Sequence, residues 1–174
     1  MDRKSKIEEI KNLFSKNKFQ ETIDKINELC KPEARPADLS CLSGVCKIIK
    51  SDPTEDEILS ALSDFEDAYY KEKNSNIGLE SVCNFISTCI LHSINYPKLF
   101  EYFLKAKQIY DDAEKKFSNN EKFCIAGLKL HKLILDYDKM REINSVLINN
   151  NTKHLTSLCR WAFINNYSYK WSQK

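Results

Sequence analysis

Residues 52–70 read DPTEDEILSALSDFEDAYY. The stretch predicts a helix whose start is marked by Asp52 as the N-cap, Pro53 in the first helical position and Glu55 in the third. The large apolar residues then recur at steps of four, three and four, which places them on one face of a helix. These residues are Ile58, Leu62, Phe65 and Tyr69. The stretch therefore predicts an amphipathic helix that buries one face against neighbouring elements.

The same spacing recurs on both sides of this helix and predicts nine helices in all. Before it lie a helix from about Arg3 to Ser15, one from Lys18 to Lys31, and one carrying Leu39, Leu42, Cys46 and Ile49. After it lie one carrying Val82, Phe85, Ile86, Cys89 and Ile90, then a longer one carrying Leu99, Phe103, Ala106, Tyr110 and Ala113. The seventh helix follows the capping sequence Ser118–Glu121 and carries Phe123, Ala126, Leu130 and Leu133. The eighth carries Ile143, Val146 and Leu147. The ninth follows Thr152 and carries Leu155, Leu158 and Ala162.

The connections between these helices are short and contain few chain breakers. The sequence has only three glycines and four prolines, too few for the many tight turns of a sheet protein of this length. Short connections make successive helices antiparallel neighbours. We therefore expect an all-α fold of antiparallel helical hairpins stacked as a tetratricopeptide-like α-solenoid. A single helical repeat domain would span residues 1–166, followed by a basic and aromatic tail at 167–174.

One hairpin of this series resembles a tetratricopeptide repeat. The large, small, glycine and apolar positions of that repeat are matched by Phe123, Ala126, Gly127, Leu130, Ile143 and Val146. Lys139 departs from the pattern, because the family has a small residue there so that its two helices pack closely. The resemblance implies a stack of helical hairpins that presents an extended binding surface.

A wider segment, Leu79 to Asn150, is similar to the N-terminal helical arm of PCI-domain subunits in the proteasome lid and the signalosome. The matching residues are Asn119 and Asn120 with Phe123, Lys129 to Leu133 with Leu135, and Ile143 with Val146 and Leu147. No winged-helix portion follows in this sequence, so a role that depends on it is not implied. The resemblance implies a subunit of a larger complex.

The cysteines predict a reducing compartment, the cytoplasm or the nucleus. There are seven, an odd number, and they lie within apolar helical stretches rather than in loops. Cys30, Cys83, Cys89 and Cys124 fit the pattern of small buried apolar residues. No stretch reaches 18 apolar residues and the first residues are charged, so we expect neither a signal peptide nor a membrane partner.

Motifs that carry chemistry are weak in this sequence. Zinc sites use two close pairs of ligands, and Cys89-x-x-His92 is the only tight Cys/His pair. A buried thiol beside a partly exposed histidine is the alternative explanation. The glycines are isolated, so no loop suited to phosphate binding is present. We expect no catalytic, cofactor or metal residue and no small-molecule substrate, so the protein is not expected to be an enzyme.

Acidic residues cluster in the quoted stretch. From Ser51 to Tyr70 there are seven acids and no base. Those in the first turn are explained by helix capping and the helix dipole, whereas Asp64, Glu66 and Asp67 are not. Two explanations stay open for these three: a solvated helix face, or a docking face for a basic partner.

The C-terminal part of the sequence has the opposite charge. From Ile143 to the end there are four bases and no acid, and the bases alternate with aromatic residues. The candidate partner-binding residues are Lys153, Arg160, Trp161, Tyr167, Tyr169, Lys170 and Trp171. Three explanations stay open: a capping helix whose Trp161 closes the core, a protein-docking site, or contact with RNA or the ribosome through stacking and phosphate binding.

The function that these features favour is a non-catalytic α-helical adaptor or scaffold that binds other proteins of a multi-subunit complex. The alternative is an RNA- or ribosome-associated factor that uses the basic, aromatic C-terminus.

Overall fold

Helices make up most of the chain. The computed structural model describes residues 3–49, 52–93 and 95–150, and these ranges contain eight α-helices and no strand. The helices are α1 Arg3–Ser15, α2 Phe19–Leu29, α3 Ala37–Ile48, α4 Glu55–Lys71, α5 Asn76–His92, α6 Glu101–Phe117, α7 Glu121–Leu133 and α8 Tyr137–Asn149. Short 3₁₀ helices at Pro32–Ala34 and Pro97–Phe100 precede α3 and α6. The predicted all-α class is confirmed.

The count of helices differs from the predicted nine. The first eight predicted helices correspond to α1 to α8, and α1 has the predicted bounds. The predicted ninth helix, after Thr152, lies outside the described residues. The count over the described residues is therefore eight.

The start of α4 differs from the prediction by two residues. Thr54, rather than Asp52, is the N-cap: its hydroxyl accepts a hydrogen bond from the Glu57 backbone N–H at 3.3 Å. The Glu57 carboxylate in turn accepts one from the Thr54 N–H at 3.0 Å. This reciprocal pair satisfies two N–H groups at the helix start. Similarly, α7 is capped by Asn120, which accepts from the Phe123 N–H, rather than by Ser118.

Two compact units divide the chain, Met1–Ala113 and Glu114–Lys174. In the first unit, α4 packs against both α3 and α5, and α3 also contacts α5. The four apolar residues predicted to line the inner face of α4 are all buried: Ile58, Leu62, Phe65 and Tyr69. The central helix of this unit therefore has the orientation that its sequence predicts.

The first three helices share a second group of buried residues in the same unit. Ile10 of α1, Ile26 of α2 and Leu39 of α3 pack together, and Leu42 lies against them. Helix α1 packs on α2, and α2 on α3. Each helix therefore buries its apolar face against its neighbours in the sequence, as expected for short connections.

The second unit is described over its hairpin of α7 and α8. Phe123 and Leu130 of α7 are buried, as are Ile143 and Leu147 of α8. The Asn150 side chain donates a hydrogen bond to the Asn119 carbonyl oxygen at 3.4 Å. Because this bond joins the end of α8 to the residues just before α7, the two helices are antiparallel.

None of the helices in the described ranges has the length and apolar character that crossing a lipid bilayer requires.

Candidate interaction surface

The predicted acidic residues of α4 make bonds within the chain. Asp64 accepts hydrogen bonds from Arg35 Nη1 at 3.2 Å and from Lys47 Nζ at 2.5 Å. Arg35 is only 3% exposed and also donates from Nη2 to Asn27 Oδ1 at 2.8 Å. The Asp64 carboxylate therefore links α4 to α3 and to the segment between α2 and α3, and it neutralises a buried guanidinium.

Asp67 and Glu66 bond to different helices. Asp67 accepts from Ser40 Oγ of α3 at 2.8 Å and from Lys71 Nζ at 2.7 Å. Glu66 forms an ion pair with Lys105 of α6 at 2.5 Å. Asp64 and Asp67 thus lie on the side of α4 that meets α3, whereas Glu66 lies on the side that meets α6. Because these carboxylates hold helices of the first unit together, we leave them out of the candidate surface.

The predicted basic and aromatic residues of the C-terminus lie outside the described residues. They are Lys153, Arg160, Trp161, Tyr167, Tyr169, Lys170 and Trp171. Their roles stay predictions.

Five large apolar side chains are exposed in the described part of the first unit, and three of them flank the connection between α5 and α6. Leu91 near the end of α5 is 69% exposed, and Phe100 and Leu104 at the start of α6 are 57% and 72% exposed. Phe100 and Leu104 are four residues apart, so they lie on the same side of the chain as it enters α6. We call Leu91, Phe100 and Leu104 the α5–α6 surface. Single exposed apolar side chains are ordinary, whereas contiguous apolar patches mark interaction sites, which makes these three side chains a candidate.

Buried residues hold the α5–α6 surface in position. Leu99 and Phe103 are buried directly beside the exposed pair, and the rings of Phe100 and Phe103 are 5.5 Å apart. The ring of Phe85 on α5 lies 6.5 Å from that of Tyr102 on α6. The exposed side chains therefore project from an anchored segment, so that binding a partner would require little ordering of the backbone.

The charges beside the α5–α6 surface are balanced. Lys98 pairs with Glu55 at 3.6 Å, and Lys105 pairs with Glu66. Burial lowers the pKa of His92, which follows Leu91, so the imidazole is neutral at pH 7. With its nearby bases paired and its histidine neutral, the surface suits an apolar protein partner better than a phosphate backbone.

In the Cys/His pair considered as a metal site, Cys89 is buried and His92 is partly buried. Burial raises the pKa of the Cys89 thiol to about 12. Within the described residues, no group of three or more potential metal ligands converges.

In the described ranges, Cys30, Cys41, Cys46, Cys89 and Cys124 are free thiols. Cys41, Cys46, Cys89 and Cys124 are buried. Cys30 and Cys83 are half-buried, and Cys30 packs against the core residues shared by α1, α2 and α3.

His131 and Asp136 form the closest arrangement to a catalytic pair in the described residues. His131 Nδ1 lies 3.1 Å from Asp136 Oδ2, and the histidine is buried. The other carboxylate oxygen, Oδ1, accepts a hydrogen bond from the Lys139 N–H at 3.2 Å and so caps α8. The pair therefore fixes the turn between α7 and α8.

No family model matches this chain, and neither a curated protein nor a solved structure is significantly similar to it. The residues of the chain itself must therefore support any proposal of function.

Proposed function

We propose that this chain is a non-catalytic α-helical adaptor that binds a partner protein within a larger complex. The observation that carries this proposal is the α5–α6 surface, where Leu91, Phe100 and Leu104 are each more than half exposed. Covering these three side chains would contribute roughly 3–6 kcal/mol, since full burial of one large apolar side chain is worth about 1.5–3 kcal/mol. That is enough to form the centre of a specific interface.

Stacked hairpins are part of the same proposal. Successive helices pack together within each unit, and the α7–α8 hairpin buries Phe123, Ala126, Gly127 and Leu130 at its tetratricopeptide-like positions. Lys139, the departure from the family pattern, is accommodated by an ion pair with Glu114 at 2.8 Å. These contacts support a tetratricopeptide-like solenoid of the kind found in PCI-domain arms. The free thiols favour a complex in the cytoplasm or the nucleus.

Comparative purification tests the proposal. Tagged full-length chain is purified from its native cells alongside the variant F100S/L104S, and proteins and RNA are quantified per mole of bait. We expect the variant to lose its principal partner protein at least tenfold, which corresponds to a loss of about 1.4 kcal/mol. It should stay folded, because both changed side chains are mostly exposed.

A matched control is Q108S/K115S, which places two serines at exposed polar positions of the same helix. This control should keep the partner. The proposal fails if F100S/L104S retains every partner of the parent chain. It also fails if the principal ligand is RNA that is lost on changing Arg160 and Lys170 to glutamate, which is the outcome that the alternative function predicts.

A further inference from the structure

The face of α1 that packs against α2 changes from apolar to cationic toward the start of the helix. Arg3, Lys6 and Ile10 follow one another at steps of three and four, so they lie on the same side of α1. Ile10 is buried in the core that α1 shares with α2 and α3. Arg3 and Lys6 continue this side of the helix, and both are exposed. The apolar contact between α1 and α2 therefore gives way to two cations at the start of α1.

An open cavity of about 440 Å³ lies at this end of α1. It is lined by Arg3 and Lys6 of α1, by Leu29 and Cys30 at the end of α2, and by Ala34 of the 3₁₀ helix that follows. We call it the α1–α2 cavity. Leu29 and Cys30 also pack against the buried core, so the apolar wall of the cavity is the edge of that core. Sites for small molecules combine such a wall with a few polar groups, in volumes of roughly 300–1,000 Å³.

The two cations of the α1–α2 cavity form no ion pair with any acid among the described residues. A lysine farther along the same pair of helices is neutralised: Lys25 lies 3.0 Å from Glu28 and 3.8 Å from Glu9. Arg3 and Lys6 therefore present two positive charges, beside an apolar wall, to whatever enters the cavity.

These two charges do not stabilise the helix that carries them. The first turn of α1 contains no acid, although the N-terminal end of a helix has a partial positive charge that favours acids over bases. Like charges three residues apart also repel each other. Residues that break such local rules without a compensating contact are expected at functional sites. An anion bound between Arg3 and Lys6 would relieve both unfavourable terms.

We propose that the α1–α2 cavity binds a small organic anion in which one anionic head group is joined to a short hydrocarbon body. The head group bonds to Arg3 and Lys6, since the planar donors of a guanidinium match an oxyanion. The hydrocarbon body covers Leu29, Cys30 and Ala34. The ligand is bound and not converted, so this site is an addition to the proposed adaptor function and does not depend on the α5–α6 surface.

Cys30 provides a direct probe of this binding, because its half-buried thiol forms part of the cavity wall. The full-length chain is alkylated with iodoacetamide at increasing concentrations of octanoate, and the modified peptides are quantified by mass spectrometry. We expect octanoate to slow the alkylation of Cys30 until the effect saturates. Alkylation of Cys83, which is also half-buried but lies on α5, should not change.

Charge-neutral variants test the role of the two cations. R3Q/K6Q should raise the octanoate concentration for half-maximal protection of Cys30 roughly tenfold or more, because it removes both charged donors. The matched control K4Q/K11Q removes two charges from exposed positions of the same helix that do not line the cavity. It should change this concentration less than about twofold, since distant exposed charges are screened. Glutamine is a good helix former, and circular dichroism checks that both variants stay folded.

Two further compounds separate the contribution of charge from that of the apolar wall. Octan-1-ol has the hydrocarbon chain without the charge, and inorganic phosphate has the charge without the chain. Both should protect Cys30 much less than octanoate at the same concentration. Equal protection by either compound would overturn the inference, as would equal slowing at Cys83, an unchanged response in R3Q/K6Q, or no protection at all. These measurements involve no partner protein, so their failure is distinguishable from failure of the adaptor proposal.

Discussion

Replacing Asp64 by alanine is expected to lower the free energy of unfolding of the first unit by about 3 kcal/mol. The change removes the carboxylate that both Arg35 and Lys47 contact and leaves a guanidinium that is almost fully buried. Asn27 supplies Arg35 with a neutral acceptor but no compensating charge. Urea unfolding followed by circular dichroism measures the effect.

Asp111→Ala is the matched control for this prediction. Asp111 is also a helical aspartate of the first unit with a lysine partner, Lys107 at 2.6 Å, but both side chains are substantially exposed. An exposed pair of this kind contributes about 0.3–0.5 kcal/mol. If the two variants unfold at the same urea concentration, the buried ion pair does not stabilise the fold in the way described.

Replacing Phe65 by alanine should lower the free energy of unfolding by about 3–5 kcal/mol. Phe65 is fully buried between α4 and α3, and its ring faces Gly44. A Cβ atom on Gly44 would lie 2.6 Å from Phe65 Cε1, so the glycine is what lets the ring approach α3. Because Gly44 has no side chain to fill the space, the cavity left by Phe65→Ala would persist. Chemical denaturation measures this loss.

Phe100→Ala makes the same chemical change on the α5–α6 surface. Phe100 is more than half exposed, so its truncation should cost less than about 1 kcal/mol. A loss of stability in Phe100→Ala equal to that in Phe65→Ala would show that Phe100 belongs to the core and would remove it from the candidate surface.

The helices were predictable from the sequence because the period of apolar residues is a local property. The face of α4 that carries Ile58, Leu62, Phe65 and Tyr69 is buried as its spacing predicts. The start of α4 was misplaced by two residues because Asp52 and Thr54 are both good N-caps. Only the reciprocal bond with Glu57 distinguishes them.

The partner of Asp64 could not be predicted, because it depends on tertiary structure. Arg35 precedes Asp64 by 29 residues and lies between Pro32 and Pro36, where the sequence signals only a break between helices. An isolated arginine in such a break is usually solvent-exposed. Its burial follows from the way α2, α3 and α4 pack, which the apolar period does not specify.

The exposure of the α5–α6 surface is difficult to predict from the sequence. Phe100 directly follows the buried Leu99, and Leu104 directly follows the buried Phe103. An apolar residue next to a buried stripe is equally compatible with a wider buried face of the helix. Their exposure depends on where the neighbouring helices end. The left-handed conformation of Leu135, which has φ of 57° just after α7, was equally difficult to predict, since leucine does not signal such a turn.

The mass of the assembly that contains this chain tests the adaptor proposal most directly. Nuclease-treated native extract is fractionated by sedimentation velocity, and the parent chain is compared with F100S/L104S. We predict that the parent chain sediments as part of a complex larger than a single chain, while folded F100S/L104S sediments as a single chain. A parent chain that sediments alone, or a complex that survives the F100S/L104S change, would contradict the proposed function.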